Sequence, residues 1–156
     1  MPRLADPALR PALIRRYAAF HIPADASLAP HLEGVRGLGF RGRSRAPLLE
    51  KFVGGRPLPA FPAPASRAEA LGMLYVLEGS TLGGRLILRW LADRGIRDPD
   101  LAFLDPYGAE TGRLWRGFLA VLAREVGDEE ALIAQACTGA RSGFRHAERL
   151  LGGIMQ

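Results

Sequence analysis

The segment that most constrains this chain is an apolar run with glycines set inside it, Leu71-Gly-Met-Leu-Tyr-Val-Leu-Glu-Gly-Ser-Thr-Leu-Gly-Gly-Arg-Leu-Ile87. Ser66-Arg-Ala-Glu69, just ahead of it, is a capping-box pattern in which a hydroxyl and a carboxylate three residues apart satisfy free backbone donors. A helix therefore starts there, and it is expected to reach about Arg94 with Gly95 as a left-handed terminator. Ala70 to Leu77 is apolar nearly all round and must be buried. Glycine inside a helix costs roughly 0.8–1 kcal/mol relative to alanine, so Gly72, Gly79, Gly83 and Gly84 need something to offset them. Gly72, Gly79 and Gly83, spaced by seven and four residues, lie along one face bordered by Ser80. Two readings stand: a neighbouring helix packs closely on that face, or the face roofs a flat cofactor.

The remaining segments also read as helices. Asp6-Pro7 is expected to open the first, as a capping side chain followed by proline. The apolar positions Leu13, Ile14, Tyr17, Phe20, Ala24, Leu28 and Leu32 then hold one helical period across Pro23, so a single kinked helix is expected. Glu33 to Gly42 carries Gly34, Gly37, Gly39 and Gly42 and reads as loop. Ser44 is placed to cap a short helix with Leu48, Leu49 and Phe52, ended by Gly54 and Gly55. Pro57, Pro59, Pro62 and Pro64 remove too many donors for a helix and predict an extended surface strap. After a turn at Asp105-Pro-Tyr-Gly108, a helix carries Leu114, Trp115, Phe118, Val121 and Leu122 to Gly127. Asp128 is then expected to cap a last helix through Ile133, Ala140, Phe144 and Leu151. No segment alternates like a strand. The expectation is an all-α, single-domain bundle over residues 1–156.

Composition narrows the function classes. With 48% hydrophobic and 24% charged residues the chain can bury a core. No stretch reaches the roughly 18–20 apolar residues of a membrane span, and the N-terminus does not read as a signal peptide. A cytoplasmic protein without membrane contact is expected. The single cysteine, Cys137, excludes an internal disulfide and a cysteine-built zinc site. The net charge of +5 comes almost wholly from scattered arginines, Lys51 being the only lysine, and acidic residues are interspersed. No helix-turn-helix or aromatic RNA-binding pattern accompanies the charge, so no nucleic-acid partner is expected.

Tyr75-Val-Leu-Glu-Gly-Ser-Thr-Leu-Gly-Gly84 resembles the distal-helix signature of the biliverdin-forming heme oxygenases that accompany bacterial phytochromes. Arg16-Tyr-Ala-Ala-Phe-His21 with Asp25 resembles that family's second helix, and Arg45-Ala-Pro-Leu-Leu-Glu50 its next segment. Tyr107-Gly108, Gly112 and Trp115-Arg-Gly-Phe118 resemble its turn and following helix. The likeness runs from about residue 10 to about 150.

The resemblance implies a helical fold that clamps heme between a proximal and a distal helix. Heme is then both substrate and cofactor, and electrons from a reductase drive its conversion to biliverdin, carbon monoxide and iron. Gly79, Ser80 and Gly83 would lie over the iron, with Ser80 where relatives carry a polar or acidic residue. Arg116 matches a position that pairs with a propionate, with Arg85 and Arg113 as further supports; Gly84 and Tyr75 complete the expected heme contacts. The family's proximal histidine lies on a helix ahead of the part that matches residues 10–32, and this sequence begins after it unless the start codon is misassigned. Of His21, His31 and His146, His21 is the candidate iron ligand. Two functions follow: a heme oxygenase, or a degenerate scaffold that binds heme or bilin, or docks on a regulatory partner, without turnover. Self-association covering an open pocket face is a further expectation.

Overall fold

Local signals at the glycine helix translate directly into structure. Ser66 Oγ accepts the Glu69 N–H at 3.2 Å, while Glu69 Oε2 reaches one residue past the box to accept the Ala65 N–H at 2.7 Å. The computed structural model describes residues 2–153 and builds them as α1 (Pro2–Ala5), α2 (Arg10–Leu32), α3 (Ala46–Leu49), α4 (Arg67–Ala92), α5 (Thr111–Val126) and α6 (Glu130–Leu151). Short 3-10 turns at Phe40–Arg43, Glu50–Phe52, Pro99–Leu104 and Gly108–Glu110 join them. There is no strand among the described residues, so the all-α expectation holds. Gly95, at φ 75°, ends α4 as expected, with the Ile96 N–H returning to the Leu91 carbonyl at 3.0 Å.

Helix α2 runs unbroken through Pro23 and Pro30, burying Leu13, Ile14, Phe20, Ala24, Leu28 and Leu32. Its start corrects the sequence expectation. Asp6 Oδ1 takes the Ala8 N–H at 2.8 Å and makes a local turn, so the helix begins only at Arg10, behind the unforeseen α1. The Asp6 carbonyl also takes the Arg10 N–H at 3.1 Å, but Pro11 has no N–H with which to continue that turn into the helix. Asp128 is likewise not a cap: the position before α6 is Glu129, with no side-chain bond. The proline strap has no regular structure but is more than a surface feature. Phe61 is buried against Phe20, and Ser27 Oγ donates to the Pro62 carbonyl at 2.9 Å.

Two apolar clusters fill the interior. One gathers Phe20, Leu28, Leu71, Leu74, Leu77, Phe118 and Val121; the other gathers Leu4, Leu13, Tyr17, Leu91, Leu101 and Phe103. What joins them is the pair α4 and α6. Ser66 touches Gln135, a Cβ on Gly139 would lie 1.9 Å from the Glu69 carbonyl oxygen, and one on Gly143 would meet Val76 at 3.0 Å. Positions rise together on both helices, so the two run parallel. A Cβ on Gly72 would lie 1.9 Å from the Ala136 carbonyl oxygen. The expectation that Gly72 belongs to a ligand face is thereby corrected: its missing side chain is space taken by the α6 backbone. Gly84 is similar, with a Cβ 2.0 Å from the carbonyl oxygen of Leu104 on the 99–104 turn.

At Gly83 the situation reverses, because nothing lies within 4 Å of an added Cβ. Gly72→Ala is expected to destabilise the fold by about 1–3 kcal/mol through overpacking. Gly83→Ala is expected to stabilise it by up to ~1 kcal/mol, as alanine is the better helix former. Thermal unfolding of both variants checks the pair; equal effects would remove the distinction between a packed and an open glycine.

Candidate functional site

Helix α4 carries its open glycines on a solvent face. Tyr75, Gly79, Leu82, Gly83 and Leu86 recur at helical spacing, and Tyr75, Leu82 and Leu86 are 37%, 41% and 66% exposed. A Cβ at Gly79 would meet only the Trp115 ring, at 3.8 Å. Tyr75 and Trp115 pack with ring centroids 5.5 Å apart at the edge of this face. The result is an apolar strip whose floor is bare backbone. Arginines lie on and beside the same helices. Arg85 is exposed, 3.6 Å from Asp105; Arg113 is exposed and paired with Glu110; Arg116 is exposed, its guanidinium beside Gly112.

Behind Gly83, between α4, the 99–104 turn and Leu151 at the end of α6, lies a cavity of about 210 Å³. Ile87, Phe103, Leu104 and Leu151 form its apolar walls, and Tyr17, Arg45 and Ser80 its polar end. Ser80 Oγ donates to the Leu77 carbonyl at 2.6 Å and accepts from Arg45 Nη1 at 2.8 Å. Arg45 Nη2 donates to the same carbonyl at 2.8 Å, and Nη1 lies 2.8 Å from His21 Nε2. Arg45 is only 5% exposed, and its acceptors are all neutral. Burial pushes its pKa down.

Arg43, two residues earlier in the same loop, is handled differently. It forms a buried ion pair with Glu78 and donates to the Leu38 and Leu114 carbonyls at 2.8 and 3.2 Å. Tyr107 completes the group by donating to Glu78 Oε1 at 2.8 Å; burial and that carboxylate raise the phenol pKa well above its ordinary value. A buried charge that loses its partner is strongly destabilising, so this network locks the 40–45 loop to α4. Sequence reading quoted Glu78, Arg45 and Tyr107 within matched segments but gave none of them a role. One signal was available: Glu78 is the only charge in the run Ala70 to Leu82, and a carboxylate in a buried stretch needs a cation.

The histidines do not assemble a metal centre. His21 is buried, stacked beside Tyr17, with Nε2 facing the Arg45 guanidinium. The lone pair that the iron-ligand expectation requires is thus turned toward a cation. His31 is half-buried near the end of α2. His146 is buried between Phe20 and Phe61; its Nδ1 lies 3.2 Å from Arg149, and its Nε2 has no partner. Among the described residues no group of three or more histidine, cysteine or acidic side chains is placed to hold a metal.

Burial first, and then Arg45 and Arg149 respectively, hold His21 well below and His146 below the ordinary imidazole range. The unfolded chain therefore takes up these protons first, and stability is lost as pH falls below about 6.5 toward the native values. Asp25, raised by burial, acts with the opposite sign nearer its own range. The urea midpoint is expected to be lower at about pH 5 than at about pH 7.5. His21→Gln keeps an acceptor for Arg45 and should lose part of that drop; an unchanged drop would place the acid sensitivity elsewhere.

No family model matches the chain, and no solved structure matches it. Among curated proteins, the heme oxygenase of Xanthomonas campestris pv. campestris (strain 8004) is 35% identical over 144 residues, covering 86% of this chain and 83% of that relative. A likeness of that extent, over a chain whose α4 and α6 and other regular elements are all helical among the described residues, has one reading: the chain belongs to the heme oxygenase family.

Proposed function

We propose that the open face of α4 binds heme and that the chain acts as a biliverdin-forming heme oxygenase of the kind that accompanies bacterial phytochromes. The observation that carries this reading is the contrast among the α4 glycines. Gly72 and Gly84 are consumed by packing, whereas Gly83 faces empty space and Gly79 only the edge of Trp115. Two backbone positions without side chains, flanked by Leu82, Leu86 and Tyr75, suit a flat apolar macrocycle. The cavity alone, at about 210 Å³, falls short of the roughly 300–1,000 Å³ of pockets that enclose drug-sized ligands. The macrocycle is therefore assigned to the open face, with the cavity behind it.

In that arrangement Tyr75, Leu82, Leu86 and Trp115 exclude water from one side of the ring, and Gly79 and Gly83 permit contact with the backbone. Gly84 contributes by letting the 99–104 turn close the cavity. Arg116, with Arg85 and Arg113, would grip the carboxylates at the ring edge, a task suited to the guanidinium fork. Ser80 is held rigidly, its proton committed to the Leu77 carbonyl and its oxygen to Arg45. Ordered water in the cavity would take its hydrogen bonds from Arg45 and Tyr17. Bound heme supplies the iron that activates dioxygen and the carbon skeleton that is opened, with electrons from a reductase, to biliverdin, carbon monoxide and iron.

One observation favours a second reading, in which the same scaffold binds heme or a bilin without turnover, or docks on a regulatory partner or a second copy of itself. Among the described residues, neither His21 nor His146 offers a free ring nitrogen to the α4 face: one is bound to Arg45, the other enclosed by Phe20 and Phe61. His21 as an iron ligand would require Arg45 to move away. No described helix is long and apolar enough to cross a membrane, in keeping with a proposed cytoplasmic location.

Titration of the purified chain with ferric heme, followed by reductant and oxygen, decides between the readings. A saturable Soret band followed by its loss and a bilin product is expected. A Soret band without bilin selects the binding role, and no saturable change ends both heme readings. Gly83→Leu, at a position with free space around it, should leave the thermal transition intact and weaken heme binding by about tenfold or more, because a side chain then occupies the floor.

A further inference from the structure

We infer that the cavity between α4, the 99–104 turn and the end of α6 is a carboxylate site, with Arg45 as its counter-cation. The argument starts from charge. Two arginines of one loop are buried, at 7% exposure for Arg43 and 5% for Arg45. Arg43 is neutralised by Glu78. Arg45 has no carboxylate within ion-pairing distance among the described residues, and it is bonded only to the Leu77 carbonyl, Ser80 Oγ and His21. The nearest acidic groups bond elsewhere, Glu78 to Arg43 and Tyr107 and Asp25 to Ser44, and act on Arg45 only through space, offsetting its burial in part. A guanidinium taken out of water whose direct partners are all neutral keeps part of its desolvation uncompensated, and burial outweighs the distant carboxylates here.

Arg45 itself lines the cavity. A guanidinium carries five N–H donors. The contacts above occupy Nη1 and one hydrogen of Nη2, which leaves Nε–H and the second Nη2–H without an acceptor among the described residues. Tyr17, whose hydroxyl has no hydrogen-bond partner among the described residues, lines the same space. Opposite this polar end the walls are Ile87, Phe103, Leu104 and Leu151. One cation facing apolar walls selects a single negative charge with a short apolar tail, and disfavours a doubly charged, strongly hydrated ion. The fitting chemistry is a short-chain monocarboxylate. The carboxylate arm of a larger ligand lying on the α4 face offers the same group, since Gly83 belongs to both surfaces. The inference needs no iron and does not rest on turnover.

The test is calorimetric titration of the purified chain with sodium butyrate, with 1-butanol as its uncharged counterpart and sodium sulfate as the dianion control. Saturable binding of butyrate, with butanol and sulfate at least about tenfold weaker, is expected from a charge-assisted contact. Arg45→Gln should lower butyrate affinity by about tenfold or more. Because that variant also disturbs His21 and Ser80, a second readout uses the unaltered protein: the Arg45 Nε–H NMR signal should move with butyrate and stay still with butanol. Equal binding of butanol and butyrate, a still Nε–H signal, or no saturable butyrate binding overturns the inference. Displacement of butyrate by ferric heme but not by its dimethyl ester assigns the site to the arm of the larger ligand. Butyrate binding undisturbed by heme assigns it to a free monocarboxylate. A chain that takes up heme yet ignores butyrate keeps the functional reading and loses this one.

Discussion

The close approach of α4 and α6 is the constraint from which the rest of the molecule follows. Backbone meets backbone at Gly72 and Gly139, where any side chain would overlap a carbonyl group. Each glycine weakens its own helix, and the loss is offset only because the approach buries Leu71, Leu74 and their neighbours with little void. Contact that tight at one end fixes how far apart the helices are at the other. Beyond Gly143 the cavity that Ser80, Gly83 and Ile87 border is closed on the α6 side by Leu151. The site is thus a geometric consequence of where α6 touches α4 and where it stops touching.

Charge is distributed along the same division. The loop at Phe40–Arg43 and the start of α3 bring two arginines against consecutive residues of α4: Arg43 meets Glu78 and Arg45 meets the Leu77 carbonyl. The first forms a closed network with every charge matched. The second is held by dipoles and left open toward the cavity. Since a buried ion pair adds little net stability over a well-packed apolar contact, the Arg43–Glu78–Tyr107 group is better understood as fixing the register of the loop, and so the place of Arg45, than as a source of stability. His21 fits the same account: a neutral imidazole can face the guanidinium, and both burial and that cation keep it unprotonated.

What was legible in the sequence was what local chemistry decides. Ser66 and Gly95 bound α4 through bonds within a few residues, and the period of α2 survives Pro23 because its apolar positions stay in phase. Asp6 and Asp128 show the limit of the same reasoning, for a capping residue type also serves turns and plain surface, and only the surrounding fold decides. The glycine face was legible as a face and not as a set of partners. Gly72 and Gly79 are seven residues apart and nearly eclipsed, yet one touches the α6 backbone and the other a tryptophan edge, because neighbouring helices leave α4 at different points along its length. Helical period encodes direction from one axis; the distance to the next element is a property of two. Arg45 was illegible for a related reason, its acceptors lying 24 to 35 residues away.

The two explanations for the glycines, close packing and a flat guest, turn out to describe different residues of one helix. Packing consumes Gly72 and Gly84, at the two places where another backbone must come near. That leaves Gly79 and Gly83 with their helical cost and no packing contact to offset it. A fold selected for stability alone would carry alanine at Gly83, where there is room for it. The persistence of bare backbone where nothing presses on it, beside exposed leucines, is therefore most economically tied to something outside the chain. The family's flat, apolar, carboxylate-bearing substrate has the shape and the charge for both the strip and the cation behind it.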